Sequence, residues 1–243
     1  MIKYNLKKRI LTKKEIIRLL NFFNKINPKL IRNYGSNRYS LKKNQKQMRQ
    51  AIMIFGSKMN KSSLKELSEI NDILDKLKKI IIKLTKTFST EIDNRIKNCK
   101  NPKFEIFGNI VKANKNYKLD PHTDHPSFLI SAIIPITDLE SSSTCFYEPI
   151  NDSDLLFKKN FQPIKKFRLH KKFNLKEGDI LSWLVDKNSW HGVMGKVRKD
   201  RLTINLHYKL HTDYIKNNFE YETIKYPLDK NSALVKSFLY LNE

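Results

Sequence analysis

Cysteine is scarce in this 243-residue sequence: Cys99 and Cys145 are the two present, and no C-x-x-C pair occurs. Two thiols build neither a disulfide scaffold nor a Cys-based zinc site, so they read as core thiols of a reducing compartment. Glycine and proline are few, at six and eight, which excludes collagen-like and low-complexity chains. No run of about 18 uncharged apolar residues occurs, so no membrane-spanning helix is expected. The opening stretch, MIKYNLKKRILTKKEIIRLL, is charged throughout and has no apolar signal-peptide segment, and a cytoplasmic protein is the expectation. Acidic residues are also short, 24 against 48 basic ones, for a formal net charge of +24. That imbalance raises nucleic acid as a partner. The basic residues, however, are 39 lysines and nine arginines spread over nearly the whole chain, whereas nucleic-acid surfaces rely on clustered arginine. A solvated lysine surface is the plainer reading, and an anionic substrate fits it.

What is present suits a packed core. Apolar residues make up 40% and aromatics 11%, enough for one large domain. Thr12 and Glu15 form a T-x-x-E capping box ahead of IIRLLNFFNKI, where Ile16, Leu19, Leu20 and Phe23 share a face and Pro28 follows. A second box, Ser63 to Glu66, predicts an amphipathic helix over 63–88, with apolar residues from Leu64 to Leu84 at three- and four-residue steps. A further helix is expected around 89–98, and QAIMIF could form a short strand. After Asn101-Pro102 the pattern changes to short apolar or alternating runs: FEIFGNIVKAN, SFLISAIIPI, TCFYEPI, GDILSWLV and RLTINLHYKL. These read as strands. No helical pattern separates them, so an antiparallel sandwich or barrel is expected, with the helices packed outside the sheet. The fold class is α+β in a single domain over 1–243. Residues 1–100 form a mainly helical support, 101–211 the β core and 212–243 an extension, with 151–170 an inserted loop.

The tripeptide His-Thr-Asp occurs twice, at 122–124 and 211–213. A mononuclear iron site of the facial-triad type needs two imidazoles and one carboxylate on one side of the metal. Residues i and i+2 of an extended segment point the same way, so His-x-Asp aims two ligands at one point and the fold must bring a third. The first copy has that third ligand in His191 of NSWHGVMG, which follows an apolar strand. The second has no histidine after it. Ten residues past His191 lies Arg201, in RLTINLHY. There Arg201, Thr203 and Asn205 alternate with Leu202, Ile204 and Leu206. With the apolar face against the helices, Arg201 points into the core of the sheets, where a carboxylate would pair with it bidentately.

The ordered set LDPHTDHP (119–126), SWHGV (189–193) and RLT (201–203) resembles the iron(II)- and 2-oxoglutarate-dependent dioxygenases, in particular their prolyl-4-hydroxylase-like bacterial and phage branch. The likeness spans about residues 104–210. It implies a double-stranded β-helix, a jelly-roll barrel of the cupin type. It implies His122, Asp124 and His191 as catalytic metal ligands, Arg201 gripping 2-oxoglutarate with Thr203 helping, and Tyr117 near the cosubstrate. The implied cofactors are Fe(II), 2-oxoglutarate and O2, with ascorbate in support. The implied reaction hydroxylates a C–H bond of a peptidyl residue or small molecule and releases succinate and CO2. The alternatives are a non-catalytic binding module on the same fold and a nucleic-acid-modifying oxygenase, the latter suggested by the charge. His125 reads as a rim residue, His170 and His207 as structural, Asp179 as serving the turn before a strand, and His211 as ending a strand.

Overall fold

The computed structural model describes residues 2–34, 49–57, 59, 61–97, 99–113, 119–124, 127–139, 142–150, 157–158, 162–163, 167–186, 189–194 and 200–211. Its elements run in the order β1 (Tyr4–Lys7), α1 (Lys13–Lys25), β2 (Arg32–Tyr34), β3 (Arg49–Phe55), α2 (Lys61–Leu67), α3 (Asn71–Thr87), α4 (Ser89–Ile96), β4 (Phe104–Ala113), β5 (Leu119–His122), β6 (Phe128–Pro135), β7 (Ser143–Pro149), β8 (Phe157–Lys158), β9 (Gln162–Pro163), β10 (Phe167–Phe173), β11 (Ile180–Leu184), β12 (His191–Met194) and β13 (Arg201–Leu210). All strand pairings are antiparallel. The strands make a seven-stranded sheet, β1-β11-β6-β13-β4-β3-β2, a four-stranded sheet, β10-β7-β12-β5, and the small hairpin β8-β9. The mixed helix and antiparallel-sheet class is therefore as the sequence implies.

The large sheet has two different faces because its strands alternate. On β13, Leu202, Ile204 and Leu206 point to the helices and join Leu19 and Phe22 of α1 and Ile73, Leu77 and Ile81 of α3 in one buried cluster. Each such side chain contributes about 1.5–3 kcal/mol by leaving water. The opposite face meets the small sheet. There Trp183 of β11, Phe146 of β7, Phe173 of β10 and Tyr4 of β1 pack edge-on or tilted, with ring centroids 5.0–5.7 Å apart. The candidate site residues His191, Arg201 and Thr203 are buried in this second layer.

The capping box of α1 forms as its sequence predicts: Glu15 N donates to Thr12 Oγ1 (3.2 Å) and Thr12 N to Glu15 Oε2 (2.7 Å). Lys76 of α3 also reaches Glu15 (2.8 Å), tying the two helices together. The second box does not form a cap. The helix starts at Lys61, so Ser63 lies inside its first turn, and the expected single helix over 63–88 is broken by a 3₁₀ turn at Ser68–Ile70. The Ser68 hydroxyl donates to Lys65 O (2.6 Å), competing for the carbonyl that a continuous helix would use. Three strands lie in the mainly helical first hundred residues, β3 at the expected QAIMIF and two that were not expected, and they extend the large sheet at both edges. The expected loop over 151–170 also ends early, because β10 begins at Phe167 and pairs with β7.

Asp179 serves its turn as expected, and does more. Its carboxylate accepts from Lys176 N (3.0 Å), Arg9 N (3.1 Å) and Lys8 Nζ (2.9 Å), which clips the N-terminal segment to the turn before β11. Burial pushes this carboxyl up, but these donors more than offset it and hold it below the ordinary range. Gly178 beside it has φ +76°, and a Cβ there would lie 2.6 Å from Leu11 O, so glycine is required. No described helix is long and apolar enough to cross a membrane.

Candidate metal centre

His122 is the last residue of β5 and His191 the first of β12, and the two are direct partners across that ladder. Their ring centroids are 4.3 Å apart. Asp124 lies two residues beyond the end of β5, outside the strand. The expectation that a strand alone would align His122 and Asp124 is thus only half right. Even so, one ligand atom each from His122, Asp124 and His191 fall within 4.8 Å of one another. Among the described residues this is the one such group of His, Cys, Asp and Glu.

The intervening Thr123 explains how the group is held. Its hydroxyl donates to Asp186 O (3.2 Å) in the turn between β11 and β12. That turn is closed by Ser189 N donating to Asp186 O (3.1 Å) and Asp186 N to Ser189 Oγ (3.0 Å). Ser189 O in turn accepts from His191 Nδ1 (2.9 Å). A carbonyl cannot donate, so Nδ1 carries a proton and the bond turns Nε2 towards the cluster. Nε2 faces Asp124 Oδ2 at 3.7 Å. Two atoms sharing one ion at about 2.1 Å each lie at most about 4.2 Å apart, so this pair is already at ligating separation. The Trp183 ring packs 4.7 Å from the His191 ring and limits its rotation.

Asp124 is ionised. Burial pushes its carboxyl up, but His191, His207, His122 and the Ser131 hydroxyl outweigh this and draw it below the ordinary carboxylate value. Ser131 Oγ donates to Asp124 Oδ2 (2.5 Å) and also contacts His207 Nδ1 (2.8 Å). Burial drives His207 down to about 4, with Asp124 opposing it only in part, so that imidazole is neutral at pH 7. The donor set of two imidazoles and a carboxylate fits Fe(II). It would suit zinc equally.

Arg201 stands opposite. It begins β13 on the large sheet and is 4% exposed, and its Nη2 donates across the gap between sheets to Thr144 Oγ1 of β7 (3.3 Å). Thr203, also 4% exposed, shares its face, and its hydroxyl donates to Asn205 Oδ1 (3.2 Å). The alternation of β13 thus places Arg201 between the sheets as its sequence implies. Tyr117 and His125 lie outside the described residues. Of the second His-Thr-Asp, His211 follows the end of β13 and its amide donates to Lys103 O (2.7 Å). Thr212 and Asp213 lie outside the described residues.

Two neighbours of the cluster were missed. His207, read as structural, is the fourth polar residue in the alternation Arg201, Thr203, Asn205, His207, so its face was legible. Ser131 sits in the apolar run SFLISAIIPI, and nothing in that run marks it. A groove of about 570 Å³ between α2, α3 and the β3–β4 edge, lined by residues such as Phe55, Met59 and Leu67, shares no residue with the cluster.

No protein-family model and no curated protein matches this sequence. Solved structures do. A 2OG-Fe(II) oxygenase family oxidoreductase from Burkholderia pseudomallei is 10% identical over 85% of this chain and 84% of its own, with a TM-score of 0.49. A Pseudomonas putida prolyl-4-hydroxylase is 7% identical over 86% and 93%, at 0.48. The viral collagen prolyl hydroxylase of Paramecium Bursaria Chlorella virus-1 is 13% identical over 85% and 95%, at 0.46. Similarity this distant leaves the chemistry to be argued from the chain's own side chains.

Proposed function

We propose that the protein is an Fe(II)- and 2-oxoglutarate-dependent oxygenase on a double-stranded β-helix core. His122, Asp124 and His191 are its iron ligands, and Arg201 with Thr203 receives the far carboxylate of 2-oxoglutarate. The observation that carries this reading is the convergence of His122, Asp124 and His191, together with a buried arginine of the large sheet that reaches Thr144 of the small one. A buried guanidinium suits the far carboxylate of a dicarboxylate cosubstrate, which it can meet with two parallel hydrogen bonds.

When bound, Fe(II) with 2-oxoglutarate and O2 supplies the oxidising power to hydroxylate a C–H bond, with succinate and CO2 as co-products. The chain's own residues prepare the site. The Ser189 carbonyl holds His191 by its Nδ1 and so aims Nε2 at the cluster. Asp124 stays ionised through its neighbours. Arg201 is permanently charged and orients a carboxylate through two parallel N–H bonds. Trp183 and Phe146 keep water from the layer between the sheets. The substrate is a peptidyl residue or a small molecule, and the lysine-rich surface favours an anionic one.

Succinate release from 2-oxoglutarate, with Fe(II) and ascorbate, tests this reading. The wild type is expected to form succinate, and His191→Ala and Asp124→Ala to form none above the no-enzyme rate. Equal succinate from wild type and both variants would end the assignment.

A further inference from the structure

Asp124 lies past the end of β5, so no strand ladder fixes it, yet a ligand carboxylate must be held to a fraction of an ångström. We propose that Ser131 and His207 form a hydrogen-bond relay that positions Asp124 as a metal ligand. This rests on the reading of His122, Asp124 and His191 as a metal site.

The two residues are direct partners across β6 and β13, adjacent strands in the interior of the large sheet. Ser131 is fully buried, and its Oγ lies 2.5 Å from Asp124 Oδ2 and 2.8 Å from His207 Nδ1. The direction of the bonds follows from proton counting. The Asp124 carboxylate can only accept, so the single hydroxyl proton of Ser131 goes to it. Ser131 Oγ then accepts from His207, whose proton must be on Nδ1. The imidazole is itself held in place: the Phe128 ring stacks on it at 4.4 Å and 25°, and the Phe107 ring lies 5.9 Å away. A rigid imidazole on the large sheet thus fixes a hydroxyl rotor, which fixes the carboxylate that faces the small sheet. A serine in an otherwise apolar strand costs stability unless its hydroxyl is bonded. Here both its partners lie on the path to the metal ligands.

Ser131 and His207 are positioning residues, so the test reads the metal rather than turnover. Co(II) is titrated into the metal-free protein, and its affinity and d–d absorption are recorded beside the melting temperature. Ser131→Ala is expected to weaken Co(II) binding about 10- to 100-fold and to alter the absorption. Ser131→Thr, which keeps the hydroxyl, is expected to restore both. His207→Phe is expected to weaken binding less than Ser131→Ala does, and the double variant to be no weaker than Ser131→Ala alone. If Ser131→Ala fails to fold, His207→Phe carries the test through the same affinity and absorption changes. Wild-type affinity and spectrum in Ser131→Ala, or in His207→Phe where that variant carries the test, would overturn the relay and leave the metal site standing. So would full additivity in the double variant. A wild type that binds no Co(II) would overturn both.

Discussion

On the proposed reading, Arg201 is the residue that selects the cosubstrate. Its guanidinium is buried between two sheets and already bonded to Thr144. A lysine there keeps the charge but loses the planar fork that meets a carboxylate with two bonds. Arg201→Lys is therefore expected to raise the KM for 2-oxoglutarate by about ten- to a hundredfold while leaving Co(II) affinity unchanged; steady-state kinetics and a metal titration check the two halves. His207 gives a second prediction, through pH. Its value is about 4 in the folded protein against 6.5 as the ordinary one, so between those values the unfolded chain binds more protons than the folded one. Stability of the metal-free protein is thus expected to fall as pH drops from about 6.5 towards 4, by up to about 3 kcal/mol from this group. Urea unfolding at several pH values, with His207→Phe alongside, checks it. The variant should lose that part of the slope, and an identical slope would show that His207 is not the group responsible.

At the scale of elements, the turn before β11 fastens the N-terminal segment to the sheet that carries Trp183. Gly178→Ala would force an L side chain into φ +76° and bring its Cβ to 2.6 Å from Leu11 O. The variant is expected to lose about 1–3 kcal/mol or more, read as a lower midpoint in chemical unfolding. The other elements differ in how visibly the sequence announces them. Helix α1 is plain because a capping box precedes a single apolar face. Strands β4, β6, β11 and β13 are plain because they alternate or run apolar between turn residues. Strand β10, FRLHKKF, was hidden because most of its side chains are exposed, so no buried face leaves a pattern. Strand β1 is four residues long and half exposed, too short to show a period. The periodicity over 63–88 survives the 3₁₀ turn, since Leu67, Ile70, Ile73 and Leu74 are all buried; spacing alone could not reveal the break.

At the scale of the whole molecule, two layers divide the work. Helices pack on one face of the large sheet and enclose the main apolar cluster with it, while the layer between the sheets holds polar side chains at fixed positions. That His122, Asp124 and His191 come together was legible from their order and spacing, and the burial of Arg201 from the alternation of β13. Ser131 was not, because a lone serine in a buried strand resembles any tolerated core hydroxyl until its partner across the ladder is known. The charge of +24 is spread along the whole chain and does not single out the layer between the sheets. The central claim is that this layer holds a metal and a dicarboxylate together. Anaerobic calorimetric titration with 2-oxoglutarate, with and without Fe(II), tests it most directly. The account predicts binding that requires both Fe(II) and Arg201, and that Asp124→Ala abolishes. Equal binding with and without Fe(II), or undiminished binding in Arg201→Ala, would contradict it.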